Sequence, residues 1–255
     1  MQNIPKKQIA SWVMFDFANS AYTTLVLTFI YGTFFVKKMA GDEIYGTALW
    51  SRAVTITAIC VALLSPFLGA VADRSNTRKS FLFISSVITV AATTVLYFFE
   101  PGQILPALIV FIISNIAFEL SNVFYNAFLP DLSPSEKIGT ISGIGWGVGY
   151  AGGLAALIVA MVGFVSPEIP WFNLSRAAGE NIRATNLLVA AWFAFFSLPL
   201  FLFVKVPSKP PDNPGGRLMS QSLSDLLTTF KQISDYPHLT RLLIARLVYN
   251  DGLVT

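Results

Sequence analysis

The chain has 255 residues, of which 54% are hydrophobic and only 12% charged, against roughly 25% charged residues in ordinary soluble domains. With a mean hydropathy of +0.63, this excludes a water-soluble globular domain and specifies an all-α, polytopic membrane helix bundle. The net charge of +3 does not point to nucleic acid, because Lys and Arg gather in the short segments between apolar runs, where they set topology.

Lys6 and Lys7 precede the first apolar run, 10–36. At about 27 residues it is too long for a cleaved signal peptide and reads as a retained membrane helix. It contains Phe15-Asp16-Phe17-Ala18-Asn19-Ser20-Ala21-Tyr22. On a helix Asp16, Asn19, Ser20 and Thr23 fall at i, i+3, i+4 and i+7 and share one face, while Phe15, Phe17, Leu25 and Val26 cover much of the rest. An acid at membrane depth costs several kcal/mol unless it faces a bundle interior or a wet cavity, so this face is a candidate site.

The second run, 45–72, holds Arg52 near its start, placed either to snorkel to the interface or to line a cavity. The single cysteine, Cys60, lies inside this run, which leaves no intrachain disulfide and no cysteine-based metal site. The loop that follows reads Gly69-Ala70-Val71-Ala72-Asp73-Arg74-Ser75-Asn76-Thr77-Arg78-Lys79. Its glycine permits close helix contact, and its basic residues can pair with carboxylates on neighbouring loops. Arg74 is the expected partner of Asp131.

After a third run, 80–99, the fourth, 104–128, repeats the first. Phe118-Glu119-Leu120-Ser121-Asn122-Val123-Phe124-Tyr125 has the same order of Phe, acid, Asn and Tyr, and Asn115, Glu119, Asn122 and Asn126 share one helical face. Two readings of these polar stripes stand side by side: interhelical hydrogen bonds alone, or a cavity lined by both. The match would also suit an inverted three-plus-three repeat. By residue count, however, both acids lie toward the same side of the membrane, which an in-plane two-fold does not give.

The fifth run, 138–165, carries glycine every four residues in two series, Gly139, Gly143, Gly147 and Gly145, Gly149, Gly153, with Gly152 beside the last. Both series are small-residue stripes for close helix packing. Gly147 to Gly152 also fits G-x-G-x-x-G, but no strand precedes it, so a dinucleotide site is rejected and no cofactor is called for. The sixth run is 186–206.

These features divide the chain into a six-helix transmembrane bundle over 1–206, a Pro- and Gly-rich linker with a short amphipathic helix over 207–237, and an incomplete seventh helix over 238–255, which reads as part of a longer protein. Lys6, Lys7, Arg74, Arg78, Lys79, Lys137, Lys205, Lys209, Arg217 and Lys231 all fall in alternate segments, and the opposite side holds Lys37, Lys38, Arg176 and Arg183. The positive-inside rule then puts the N-terminus in the cytoplasm.

The order Gly69-x-x-x-Asp73-Arg74 resembles the signature loop of the major facilitator superfamily, with Asn76 near the position of the family's glycine. Together with the Phe15–Tyr22 stretch, Leu64-Ser65-Pro66, Asn126-Ala127-Phe128-Leu129-Pro130-Asp131 and Gly143-Ile144-Gly145-Trp146-Gly147, it resembles the vacuole-effluxer branch of that superfamily, whose fungal members are associated with amino-acid efflux. The resemblance implies a six-helix half of a twelve-helix transporter plus the start of helix seven. It further implies a bacterial plasma-membrane location, a C-terminal half as partner, and a cavity between spans one and four. The Gly-Pro pair of the antiporter version of span five is absent.

The resulting reading is a non-enzymatic secondary transporter that moves a small polar solute, an amino acid for example, by alternating access, with a proton or ion as a conceivable coupling partner. Its solute would lie among Asp16, Asn19, Ser20, Thr23, Arg52, Asn115, Glu119, Asn122 and Asn126. Gly69, Asp73, Arg74, Arg78, Lys79, Asp131, Gly145, Gly149, Gly152 and Gly153 would serve conformation. The rivals are a transport-incompetent fragment or assembly subunit, and a membrane-embedded acid hydrolase; the latter lacks the Gly-x-Gly-Asp element of intramembrane aspartyl proteases.

Overall fold

The computed structural model describes residues 5–205 and a few isolated positions from 228 to 245. The expected linker over 207–237 and the incomplete seventh helix over 238–255, with Arg246 and Asp251, lie almost entirely outside the described residues. Six helices are long and apolar enough to cross a membrane: α1 Lys6–Met39, α2 Glu43–Arg74, α3 Arg78–Leu96, α4 Ile104–Leu132, α5 Ser135–Val165 and α6 Glu180–Phe203. No strand occurs among the described residues.

The connections follow from local chemistry. Asp42, with extended backbone, accepts a hydrogen bond from the Tyr45 backbone N–H at 2.7 Å and starts α2. The α2–α3 turn places Asn76 at φ 53°, the left-handed conformation for which the sequence offers Asn in place of Gly. At the start of α6, buried Arg183 donates to the Tyr97 and Phe99 carbonyls at 3.2 and 3.3 Å, which ties α6 to the end of α3. At the opposite end Lys79 Nζ donates to the Val204 carbonyl at 2.7 Å.

α1 and α4 form the centre. Half of their most apolar window is buried, against 6% for α2. α1 packs on α5 and α6, α4 packs on α2 and α3, and α3 packs on α6. Exchanging α1 with α4, α2 with α5 and α3 with α6 maps this set of contacts onto itself, which is the packing signature of an inverted three-plus-three repeat. The core is aromatic: Trp12 and Phe15 both stack on Tyr125, and Tyr22 stacks on Phe118.

α1 is not a regular α-helix throughout. It widens to π-helical turns over Tyr22–Phe29 and Phe35–Met39, and α5 does the same over Met161–Val165. The wide turns show in Ile30 N–H bonded to Leu25 O at 3.1 Å and Ser166 N–H bonded to Met161 O at 2.9 Å. Such turns re-aim the side chains that follow them and recur at functional sites.

Candidate functional site

A cavity of about 680 Å³ opens among α1, α4 and α5. Of the residues singled out in the sequence, Asp16, Asn19, Ser20, Thr23, Asn122 and Asn126 line it. Three others do not. Arg52 sits on the exposed side of α2, Asn115 is buried with its Oδ1 unpartnered, and Glu119 is half-buried and without an ion pair among the described residues.

The two polar stripes meet directly, since Asn19 Nδ2 donates to Asn122 Oδ1 at 2.9 Å. The Asp16 carboxylate lies beside Asn19 and the Tyr125 hydroxyl. Tyr125 is fixed by stacking between Trp12, at 4.5 Å, and Phe15, at 4.8 Å, while its carbonyl accepts from Trp12 Nε1 at 3.1 Å. A carboxylate, two amides and hydroxyls at one cavity wall offer a cation site flanked by neutral donors and acceptors.

The pairing also corrects the depth expected for the acids. α1 and α4 run antiparallel, so Asp16 and Glu119, each three residues before its asparagine, lie on opposite sides of the Asn19–Asn122 level. This is the relation that an in-plane two-fold gives when its axis passes at the asparagine pair rather than at the midpoints of the two spans.

One glycine series of α5 packs and the other does not. A Cβ at Gly145 would stand 2.7 Å from Asp16 Oδ2, at Gly149 2.9 Å from Ser20 Oγ, at Gly152 2.3 Å from the Phe17 carbonyl oxygen, and at Gly153 2.6 Å from Thr24 Oγ1. α5 therefore lies on α1 at backbone distance. Gly139, Gly143 and Gly147, expected to form a second packed stripe, have nothing within 4 Å, and neither has Gly69, expected to mediate a close helix contact.

In the α2–α3 loop the bridging cation is Arg78 rather than Arg74. Its Nε bonds Asp73, and its Nη1 lies 3.2 Å from Asp131 Oδ2 and 3.4 Å from the Ala127 carbonyl. Arg78 thus joins the loop to the end of α4.

Sequence reasoning missed the aromatic lining. Trp146 and Tyr150 are exposed to the cavity and pack edge to face at 5.9 Å. The available signal was their i, i+4 spacing on a helix whose neighbouring positions are glycine. Phe29 and Leu157 also line it, and both also line a separate apolar pocket of about 490 Å³ whose wall includes Lys37 and Lys38.

The family model "Vacuole effluxer Atg22 like" matches residues 5–255. An uncharacterized MFS-type transporter, YxiO, of Bacillus subtilis (strain 168) is 30% identical over 252 residues, covering 98% of this chain and 58% of its own. An uncharacterized protein of Aquifex aeolicus (strain VF5) is 28% identical over 171 residues, covering 65% of this chain and 42% of its own. The chain thus spans only about half the length of these relatives. No solved structure matches. On the match across nearly its whole length, the chain belongs to the vacuole effluxer Atg22-like family.

Proposed function

We propose that this chain forms the N-terminal six-helix half of a secondary transporter that binds a small polar solute bearing a cationic group, an amino acid being the fitting class, and exports it by alternating access. The observation that carries the reading is the cavity in which Asp16, Asn19, Ser20, Thr23, Asn122 and Asn126 converge from two helices. An acid held at membrane depth beside amides suits an ammonium group or a coupling proton. The name of the Bacillus relative supports the transporter class, and the family description supports efflux. The Lys and Arg distribution supports a cytoplasmic N-terminus.

The test is solute flux in the full-length protein carrying Asp16→Asn or Glu119→Gln, normalised to the amount in the membrane. Each amide keeps the shape and removes the charge, so flux should fall at least tenfold while insertion is unchanged. Wild-type flux in both variants would reduce the polar stripes to interhelical packing, whose hydrogen bonds average about 0.6 kcal/mol.

A further inference from the structure

Beyond its packed glycines, the contact between α1 and α5 opens into a groove. The α5 row Gly145, Gly149, Gly153 continues at the same four-residue spacing as Leu157, Met161 and Val165. The glycines bring α5 onto α1 at backbone distance, and where larger side chains take over, the pocket of about 490 Å³ lies between the helices. On α1 it is walled by two adjacent rows of that spacing, Phe29, Thr33, Lys37 and Ile30, Phe34, Lys38, so each row ends on a lysine. Apart from Thr33 and the lysines, its wall is apolar. Phe29 to Lys38 covers about 13 Å at 1.5 Å per residue, close to one leaflet's half of the roughly 30 Å hydrocarbon core.

Charge gathers at the outer end of this groove. Of Lys37, Lys38, Arg176 and Arg183, the cations of the side opposite Lys6, the first two line it. Arg176 donates to the Pro167 carbonyl at 3.1 Å and to the Val165 carbonyl at 3.4 Å, which sets its guanidinium where α5 and the groove end together. Lys38 and Arg176 also line a pocket of about 220 Å³ that shares Phe34, Val165 and Ile182 with the groove. All three cations are exposed, whereas Arg183 is buried among the Tyr97 and Phe99 carbonyls and Glu100. The carboxylates nearby do not neutralise them. Glu43 reaches Lys37 only at 4.0 Å, and Lys38 and Arg176 form no ion pair among the described residues. Glu180 is taken by the Tyr97 hydroxyl and the Ser175 backbone N–H.

We infer that this groove binds one anionic phospholipid from the leaflet at the Lys38 end, with an acyl chain along Leu157, Met161 and Val165 and the phosphate at Lys37, Lys38 and Arg176. The occupant follows from the two ends of the groove. A wall this apolar and one leaflet deep offers a polar solute nothing to bond, but matches a hydrocarbon chain. Two ammonium groups and a guanidinium at its mouth match a phosphodiester, and basic pockets between membrane helices recognise lipid head groups in this way. A zwitterionic lipid would bring its own ammonium among the three cations, so charge selects the anionic one. The chain would end against Phe29 and Leu157, which also wall the polar cavity, making the lipid the apolar neighbour of that site. The inference needs a bilayer and does not rest on transport.

The experiment is native mass spectrometry of the purified full-length protein after incubation in detergent with equal amounts of dioleoyl phosphatidylglycerol and dioleoyl phosphatidylcholine. One phosphatidylglycerol should be retained in preference by roughly tenfold or more. Lys37→Gln, Lys38→Gln and Arg176→Gln together should abolish the preference. Met161→Trp, which fills the groove and keeps every charge, should lower phosphatidylglycerol retention by a similar factor. Lys137→Gln, on the Lys6 side, should leave it unchanged. Equal retention of the two lipids by the unaltered protein, or a preference that survives either groove variant, would overturn the inference. A preference lost equally in Lys137→Gln would trace it to net charge and overturn it as well. Displacement of the lipid by inorganic phosphate at the same concentration would reveal a head-group site without a chain, again against the inference. If the C-terminal half of the full-length protein covers the groove, no lipid will be retained, and the inference fails.

Discussion

Replacing Gly152 by alanine should loosen the α1–α5 contact more than any other single methyl group added to α5. The new Cβ would stand 2.3 Å from the Phe17 carbonyl oxygen and 2.7 Å from its Cα, which are backbone atoms that cannot swing aside. Ordinary carbon contacts lie at about 3.5–4.0 Å, so one helix must retreat by roughly 1 Å. The Phe17 carbonyl also accepts from Trp192 Nε1 at 3.2 Å, and the Phe17 ring stacks on Trp192 at 5.4 Å, so the displacement reaches α6. Overpacking of this kind costs about 1–3 kcal/mol, here toward the upper value because the obstacle is main chain. For a bundle of this size, that lowers the melting temperature by roughly 6–10 °C. The control is Gly147→Ala, five residues away on the same helix, where nothing lies within 4 Å and the change should stay within about 0.5 kcal/mol. The assay is the apparent melting temperature of the purified protein in one detergent at one scan rate, since membrane-protein unfolding is commonly irreversible. Equal melting temperatures for the two variants would refute the assignment of the Gly152 face to α1.

Two further outcomes follow from the loop and from the charge distribution. A double-mutant cycle between Arg78→Gln and Asp131→Asn should show a coupling of about 1 kcal/mol, as befits a partly exposed pair, whereas Arg74→Gln with Asp131→Asn should be additive within roughly 0.5 kcal/mol; the reverse pattern would restore Arg74 as the bridge. Charge reversal is the poorer test, because an acid at position 78 would face Asp73 as well. In intact cells a cysteine at Lys38 should take up an impermeant thiol reagent and one at Lys79 should not, and the opposite result would invert the topology.

The helices were legible because lipid demands long apolar runs, and each of the six complete runs found in the sequence became a span. The site was legible where polar residues recur on one face: Asp16, Asn19 and Ser20 on α1, and Asn122 and Asn126 on α4. What stayed hidden depends on which helix lies against which face. The spacing of Gly139, Gly143 and Gly147 is the same as that of Gly145, Gly149 and Gly153, yet only the second series meets α1, and nothing in a four-residue period names the partner. Arg74 and Arg78 are equally plausible bridges in one dimension, and only the folded loop sets Arg78 on Asp131. Tyr125 closes the second repeat, and its place beside Asp16 appears only once α1 and α4 are set antiparallel.

The glycine face of α5 and the acid of α1 are parts of one arrangement. A carboxylate at membrane depth must be shielded from hydrocarbon and still be reachable by water or solute, and these demands conflict on a helix that is covered on all sides. α5 resolves the conflict by presenting no side chain at Gly145 and Gly149, so its backbone comes close enough to wall off Asp16 and Ser20, while Trp146 and Tyr150, one position along from each glycine, turn into the cavity. Trp12 closes the wall, lying 3.0 Å from where a Gly145 Cβ would stand and stacking on Tyr125. A larger residue at Gly145 would press on Asp16 Oδ2 before it touched any backbone atom of α1. The same stripe that permits close packing therefore also fixes where the carboxylate points, and the spacing of the α5 glycines is set by the one-turn spacing of Asp16 and Ser20 on the helix it covers.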